Sequence, residues 1–99
     1  VTLFDLILAF RKAMDNMPKV TYHEVRKIEV TVEQQSTMIL EKLKSGKMVL
    51  FQDLMRELKE KIVLIVTFIS ILELVRDGKI TVRQSDVFDD IRIKPKEAA

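Results

Sequence analysis

From Ile62 to Val75 the chain runs for fourteen residues with one charge, Glu73, and with Thr67 and Ser70 as its other polar side chains. A helix that crosses a bilayer asks for about twenty apolar residues, so this segment is too short to span one. Set out at about 100° per residue, Val63, Thr67, Ser70 and Leu74 fall on one side, and Leu64, Ile65, Phe68, Leu72 and Val75 on the far one. Ile62, Val66 and Ile69 lie along one flank with Glu73, and Ile71 lies on the other. A helix on a small core needs an apolar stripe on one side only, and here apolar residues cover far more than half of the circumference. Either another helix of the chain folds back over the excess, or a partner protein covers it.

The rest of the chain supplies one candidate cover. Leu3, Ile7, Phe10 and Met14 repeat at helical spacing, with Leu6, Ala13 and Met17 widening the stripe. Thr2 and Asp5 form a capping pair at its start, and Pro18 ends the helix near Asn16 because its ring disfavours helix at the preceding residue. The chain begins at Val1 and enters this periodicity at once, as a fragment of a longer protein would. Residues 19–30 alternate as extended chain through Val20, Tyr22, Ile28 and Val30.

Thr31 and Gln34 make a second capping box, opening a helix with Val32, Ile39, Leu40 and Leu43 on one face, closed by Gly46. Lys47-Met48-Val49-Leu50 reads as a short strand, and Phe51, Leu54, Met55 and Leu58 outline a brief helix. The apolar segment follows and stops at Arg76-Asp77-Gly78. Ile80 and Val82, then Ile91 and Ile93, alternate on either side of a polar tip and predict a hairpin.

This order, helix, short strand, helix, helix, hairpin, is that of a winged helix. The expected fold is mainly α with a small β hairpin: a winged helix over residues 31–95, an extra N-terminal helix and extended linker over 1–30, and a tail over 96–99. With 99 residues, 47% hydrophobic and 32% charged, the chain has enough for one modest core and not for two.

Catalysis finds little footing. There is no cysteine, and His23 is the one histidine, so a Ser-His-Asp arrangement has no neighbour to use and a zinc site would need three carboxylates beside it. Gly46-Lys47 resembles the end of a phosphate loop, but the earlier glycine such a loop requires is Glu41. No enzyme activity, metal or cofactor is expected. Reading of DNA by a winged helix would need Arg, Lys, Asn or Gln on the third helix, and Ile62 to Val75 has none. The wing tip, Ser85 to Asp90, carries three aspartates and no base, and the net charge of +2 is too near balance to indicate a polyanion partner.

Several runs resemble a known family. Val25-Arg26, Val30-Thr31-Val32-Glu33, Leu40 and Leu43 resemble the approach to the C-terminal domain of bacterial kleisins of the ScpA type. Val66-Thr67-Phe68, Leu72-Glu73-Leu74-Val75, Gly78, Gln84, Phe88 and Asp90-Ile91 are similar in spacing to the winged helix of that domain, and Val1-Thr2-Leu3-Phe4-Asp5-Leu6 resembles the segment ahead of it. Leu50 stands where the family often has a small polar helix cap, and Val87 where a proline is common.

The resemblance implies a cytoplasmic, nucleoid-associated, non-catalytic subunit that docks on the ATPase head of Smc, binds a dimer of ScpB, and serves chromosome condensation and segregation. By the same resemblance Phe68 and Leu72 face the Smc head, sharing a side of the helix with Ile65 and, less closely, Ile69; by apolar character alone they are equally core. Phe88 and Ile91 steady the wing. Phe4, Ile7 and Phe10 either contact ScpB or cap the winged unit, and uncovered apolar surface would let the fragment self-associate. The alternative reading is a winged-helix transcription regulator that binds DNA.

Overall fold

Helix boundaries in this chain are set by local chemistry, and the long-range contacts then arrange the helices. The structure is a computed structural model, and it describes residues 2–17, 29–44, 48–84 and 90–96. Its elements are α1 (Leu3–Asp15), α2 (Val32–Lys42), β1 (Val49–Leu50), α3 (Phe51–Glu57), α4 (Lys61–Arg76), β2 (Ile80–Gln84) and β3 (Ile91–Pro95). The extended linker, His23, the Gly46 stop, the wing tip with Val87 and Phe88, and most of the tail lie outside the described residues.

Both expected capping boxes form. At α1 the Asp5 N–H donates to the Thr2 hydroxyl (3.2 Å) and the Thr2 N–H donates to the Asp5 carboxylate (2.9 Å). At α2 Gln34 N–H donates to the Thr31 hydroxyl and Thr31 N–H donates to the Gln34 amide oxygen, both at 3.1 Å. These pairs satisfy donors that a helix start leaves without partners. α3 opens differently: Leu50 caps it without a side-chain hydrogen bond. α4 ends where Gly78 adopts φ +73°. Gly78 N–H donates to the Val75 carbonyl and Lys79 N–H to the Leu74 carbonyl, which closes the helix in a Schellman turn.

The three strands form one antiparallel sheet in the order β1-β3-β2. The hairpin β2–β3 pairs Val82 with Ile93 and Arg83 with Arg92, while β1 adds to the other edge of β3, Val49 opposite Ile93. The Gln52 side chain on α3 accepts the Ile91 N–H at 3.0 Å and so ties the helix to the start of β3. Ile80, Ile91 and Ile93 face inward and are buried with Ile39, Leu43, Phe51, Leu54, Met55, Leu64, Ile71 and Leu74 in one core. Four helices and a small sheet in this order match the arrangement of a winged helix preceded by one extra helix.

The Thr2–Asp5 box carries a pH dependence. The backbone hydrogen bond from Thr2, and after it the Thr2 hydroxyl, hold the Asp5 carboxyl below the ordinary carboxylate range. A carboxyl depressed in the folded state stabilises at neutral pH and loses that contribution as pH falls through its folded value. The first turn of α1 should therefore fray on acidification, and Asp5→Asn should fray it at neutral pH. Amide exchange rates at Leu3 to Leu6 as a function of pH measure this; rates unchanged in the variant would remove the box as the anchor of α1.

Candidate protein-docking surface

The long helix α4 is buried on the side that carries its two hydroxyls. Thr67 and Ser70 are fully buried. The Thr67 hydroxyl donates to the Val63 carbonyl one turn back (2.7 Å) and accepts from the Gln35 side-chain amide on α2, also at 2.7 Å. The Ser70 hydroxyl lies 2.8 Å from the Val66 carbonyl and 3.1 Å from the Val32 carbonyl in the first turn of α2. Among the described residues no buried side-chain polar atom lacks a partner. Small hydroxyls let α2 approach closely, and bonding back along the helix removes the cost of burying them.

A second side of α4 is closed by α1. Phe10 on α1 stacks on Phe68 with ring centroids 4.2 Å apart and planes 19° from parallel, and Phe51 meets Phe68 edge-on at 6.2 Å. Leu6 is buried beside them in the core, and Ala9, Ala13, Met14 and Met17 pack against it. The cover expected from the first helix is thus present over Phe68, which retains 8% exposure.

It does not reach the remaining flank. Ile62 stays 45% exposed and Ile69 40%, while Val75, 39% exposed, lies nearer the Phe68 side at the C-terminal end of the helix. Ile62 and Ile69 are two turns apart on one line of the helix, with half-buried Ile65, Val66 and Leu72 beside them. Of the four α4 residues expected at a docking surface, Ile69 is therefore exposed, Ile65 and Leu72 are half-buried, and Phe68 is buried. Ile62 belongs to the same stripe and was absent from that set. Its signal was the seven-residue spacing to Ile69.

The α1 residues divide in the same way. Phe10 is turned inward, while Leu3 (59%), Phe4 (65%) and Ile7 (44%) stand out from the fold. On its other flank, α1 stands off from α3 and the wing, leaving an open groove of about 780 Å³. Asp5, Lys12, Arg56 and Asp90 give that groove charges of both signs, which single out no ligand chemistry. Among the described residues no cluster of His, Cys, Asp or Glu could hold a metal, and no helix is long and apolar enough to cross a membrane. The chemistry this surface offers is apolar contact.

The family model for Segregation and condensation protein ScpA matches residues 1–95. The chain belongs to the ScpA family. It is similar to Segregation and condensation protein A of Bacillus cytotoxicus, 36% identical over 94 residues that cover 92% of this chain and 38% of that protein. Proteins of the same name from Bacillus cereus and Bacillus anthracis are 35% and 34% identical over the same shares. The chain thus spans 38% of the length of the curated relatives it matches.

Within this ScpA-family fold the Phe68 side and the Ile69 side of α4 should differ in what truncation costs. Phe68→Ala empties a ring site between Phe10 and Phe51 and should cost about 3–5 kcal/mol. Ile69→Ala removes a side chain that is 40% exposed and should cost much less, about 1 kcal/mol. Thermal unfolding of the two variants checks this, and equal losses would mean that the rotation of α4 is wrong.

Proposed function

We propose that the chain is the C-terminal part of a bacterial kleisin and acts as a non-catalytic adaptor in chromosome condensation and segregation. Residues 31–95 form its winged-helix unit, and residues 1–30 come from the central region ahead of it. The exposed flank of α4, centred on Ile62 and Ile69 with Ile65 and Leu72 at its edge, docks on the ATPase head of Smc. Phe68 supports that flank from behind through its stack with Phe10. The outer side of α1, through Phe4 and Ile7, contacts the ScpB dimer, and association with the nucleoid follows from the Smc complex.

The observation that carries the reading is an aligned pair of exposed isoleucines on a helix that packs against α2 on one side and against α1 on another. Exposed contiguous apolar surface marks interaction sites, and family membership supplies the class of partner. The DNA-reading alternative gains no support from the same helix. From Ile62 to Val75 it has no Arg, Lys, Asn or Gln and its two hydroxyls are fully buried, so between Lys61 and Arg76 at its ends only Glu73 could meet a base edge.

The test is capture by a cognate Smc head. Each isoleucine is already partly buried, so its completion at an interface contributes about 1 kcal/mol, and an arginine there adds a desolvation cost. Ile62→Arg with Ile69→Arg should weaken capture by about one to three orders of magnitude and leave thermal unfolding near that of the unaltered chain. Folded double variant with undiminished capture would exclude this flank as the docking surface.

A further inference from the structure

The wing sheet has an inner face in the core and an outer face of one sign of charge. Along β2 and β3 the inward residues are Ile80, Val82, Ile91 and Ile93. The alternate positions carry Lys79, Thr81 and Arg83 on one strand and Arg92, Lys94 and Lys96 on the other. The register sets Thr81 opposite Lys94 and Arg83 directly opposite Arg92, and the Lys96 N–H donates to the Lys79 carbonyl at the end of the ladder. Lys79, Arg83, Lys94 and Lys96 are exposed. Among the described residues no ion pair engages any of these four. Acid begins only at Asp90, beyond the tip end of β3. The four exposed cations therefore present one sign of charge to whatever anion approaches this face.

We propose that the outer face of the β2–β3 sheet contacts the phosphate backbone of duplex DNA without reading its sequence. Charge complementarity and chemical make-up both favour this occupant over an acidic protein. Protein–protein interfaces are depleted of lysine at their centres and built around aromatic anchors, whereas this face holds lysine and arginine around Thr81, with Leu50 beside Arg92 at its β1 edge. Phosphate contacts are made by such side chains. Alternate residues on a strand repeat at about 6.8 Å and adjacent strands at about 4.8 Å, so the cations form a grid that can lie along a row of phosphates. The near-balanced net charge of +2 conceals the patch because the acids lie elsewhere in the chain.

Fluorescence anisotropy with two labelled duplexes of unrelated sequence tests the proposal on the whole chain. Both duplexes should bind alike, within the non-specific range of about 10⁻⁴–10⁻⁶ M at physiological salt, and about two orders of magnitude more tightly at 50 mM than at 200 mM salt for four phosphate contacts. Lys94→Gln with Lys96→Gln should flatten the slope of log affinity against log salt by about 1.8, since each contact contributes about 0.9. Thr81→Lys, which adds a cation to the middle of the grid, should steepen the slope. Arg11→Gln with Lys12→Gln on α1 should leave it unchanged, and thermal unfolding verifies that each variant folds. Equal flattening by the α1 pair, or no response to the sheet variants, would overturn the proposal. So would displacement of the duplex by polyglutamate at equal charge concentration, which would assign the face to an acidic protein.

Discussion

Two buried hydroxyls fix the rotation of α4, and the rest of the fold depends on that angle. An all-round apolar helix has no preferred side, since burial rewards any of its faces about equally. Thr67 and Ser70 break the tie. Their hydroxyls bond to carbonyls of α4 itself, and the same two groups reach Gln35 and the Val32 carbonyl of α2. Because each hydroxyl is already paired along α4 in any rotation, the selection comes from the added bonds to Gln35 and the Val32 carbonyl, each contributing about 0.5–1.5 kcal/mol, and from the close approach that small side chains allow. With Thr67 and Ser70 against α2, the helical period sends Phe68 toward α1 and α3 and leaves Ile62 and Ile69 on a third side, roughly 110–120° from each of the other two.

Much of the architecture was legible because it is written in short-range chemistry. The capping pairs Thr2–Asp5 and Thr31–Gln34 are visible as residue types three apart, and the Gly78 stop needs only a residue that tolerates positive φ. Alternation in Ile80–Val82 and Ile91–Ile93 announces the hairpin. The rotation of α4 was not legible in this way. Periodicity gives the angles between Ile65, Phe68, Ile69 and Leu72 but not which angle points inward. That origin is set by bonds between residues 32 and 38 apart in sequence. The pairing of β1 with β3 is hidden for a similar reason: a two-residue strand carries too little pattern to name its partner.

The same division separates what is stable from what is available. Phe10 and Phe68 commit α1 to the winged unit, so the aromatic residues that look most like docking anchors are spent on the core. What remains outside is smaller and aliphatic on α4, with Phe4 and Ile7 on α1. An interface built on such a flank gains affinity from shape and desolvation rather than from charge, while the described residues on the outer side of the wing sheet are mostly cations. Apolar and electrostatic contacts are thereby assigned to different elements, and each can be altered without touching the other.

Because isoleucines occur on the exposed flank of α4, on its buried side at Ile71 and throughout the core, their methyl resonances report on whether a partner covers that flank. Methyl spectra of the chain, selectively labelled at isoleucine and titrated with an Smc head, address the central claim. The account predicts that Ile62 and Ile69 shift or broaden, that Ile65 follows to a lesser degree, and that Ile71, Ile80, Ile91 and Ile93 hold their positions. Perturbation confined to the buried isoleucines, or to Ile7 of α1 with Ile62 and Ile69 unmoved, would contradict it.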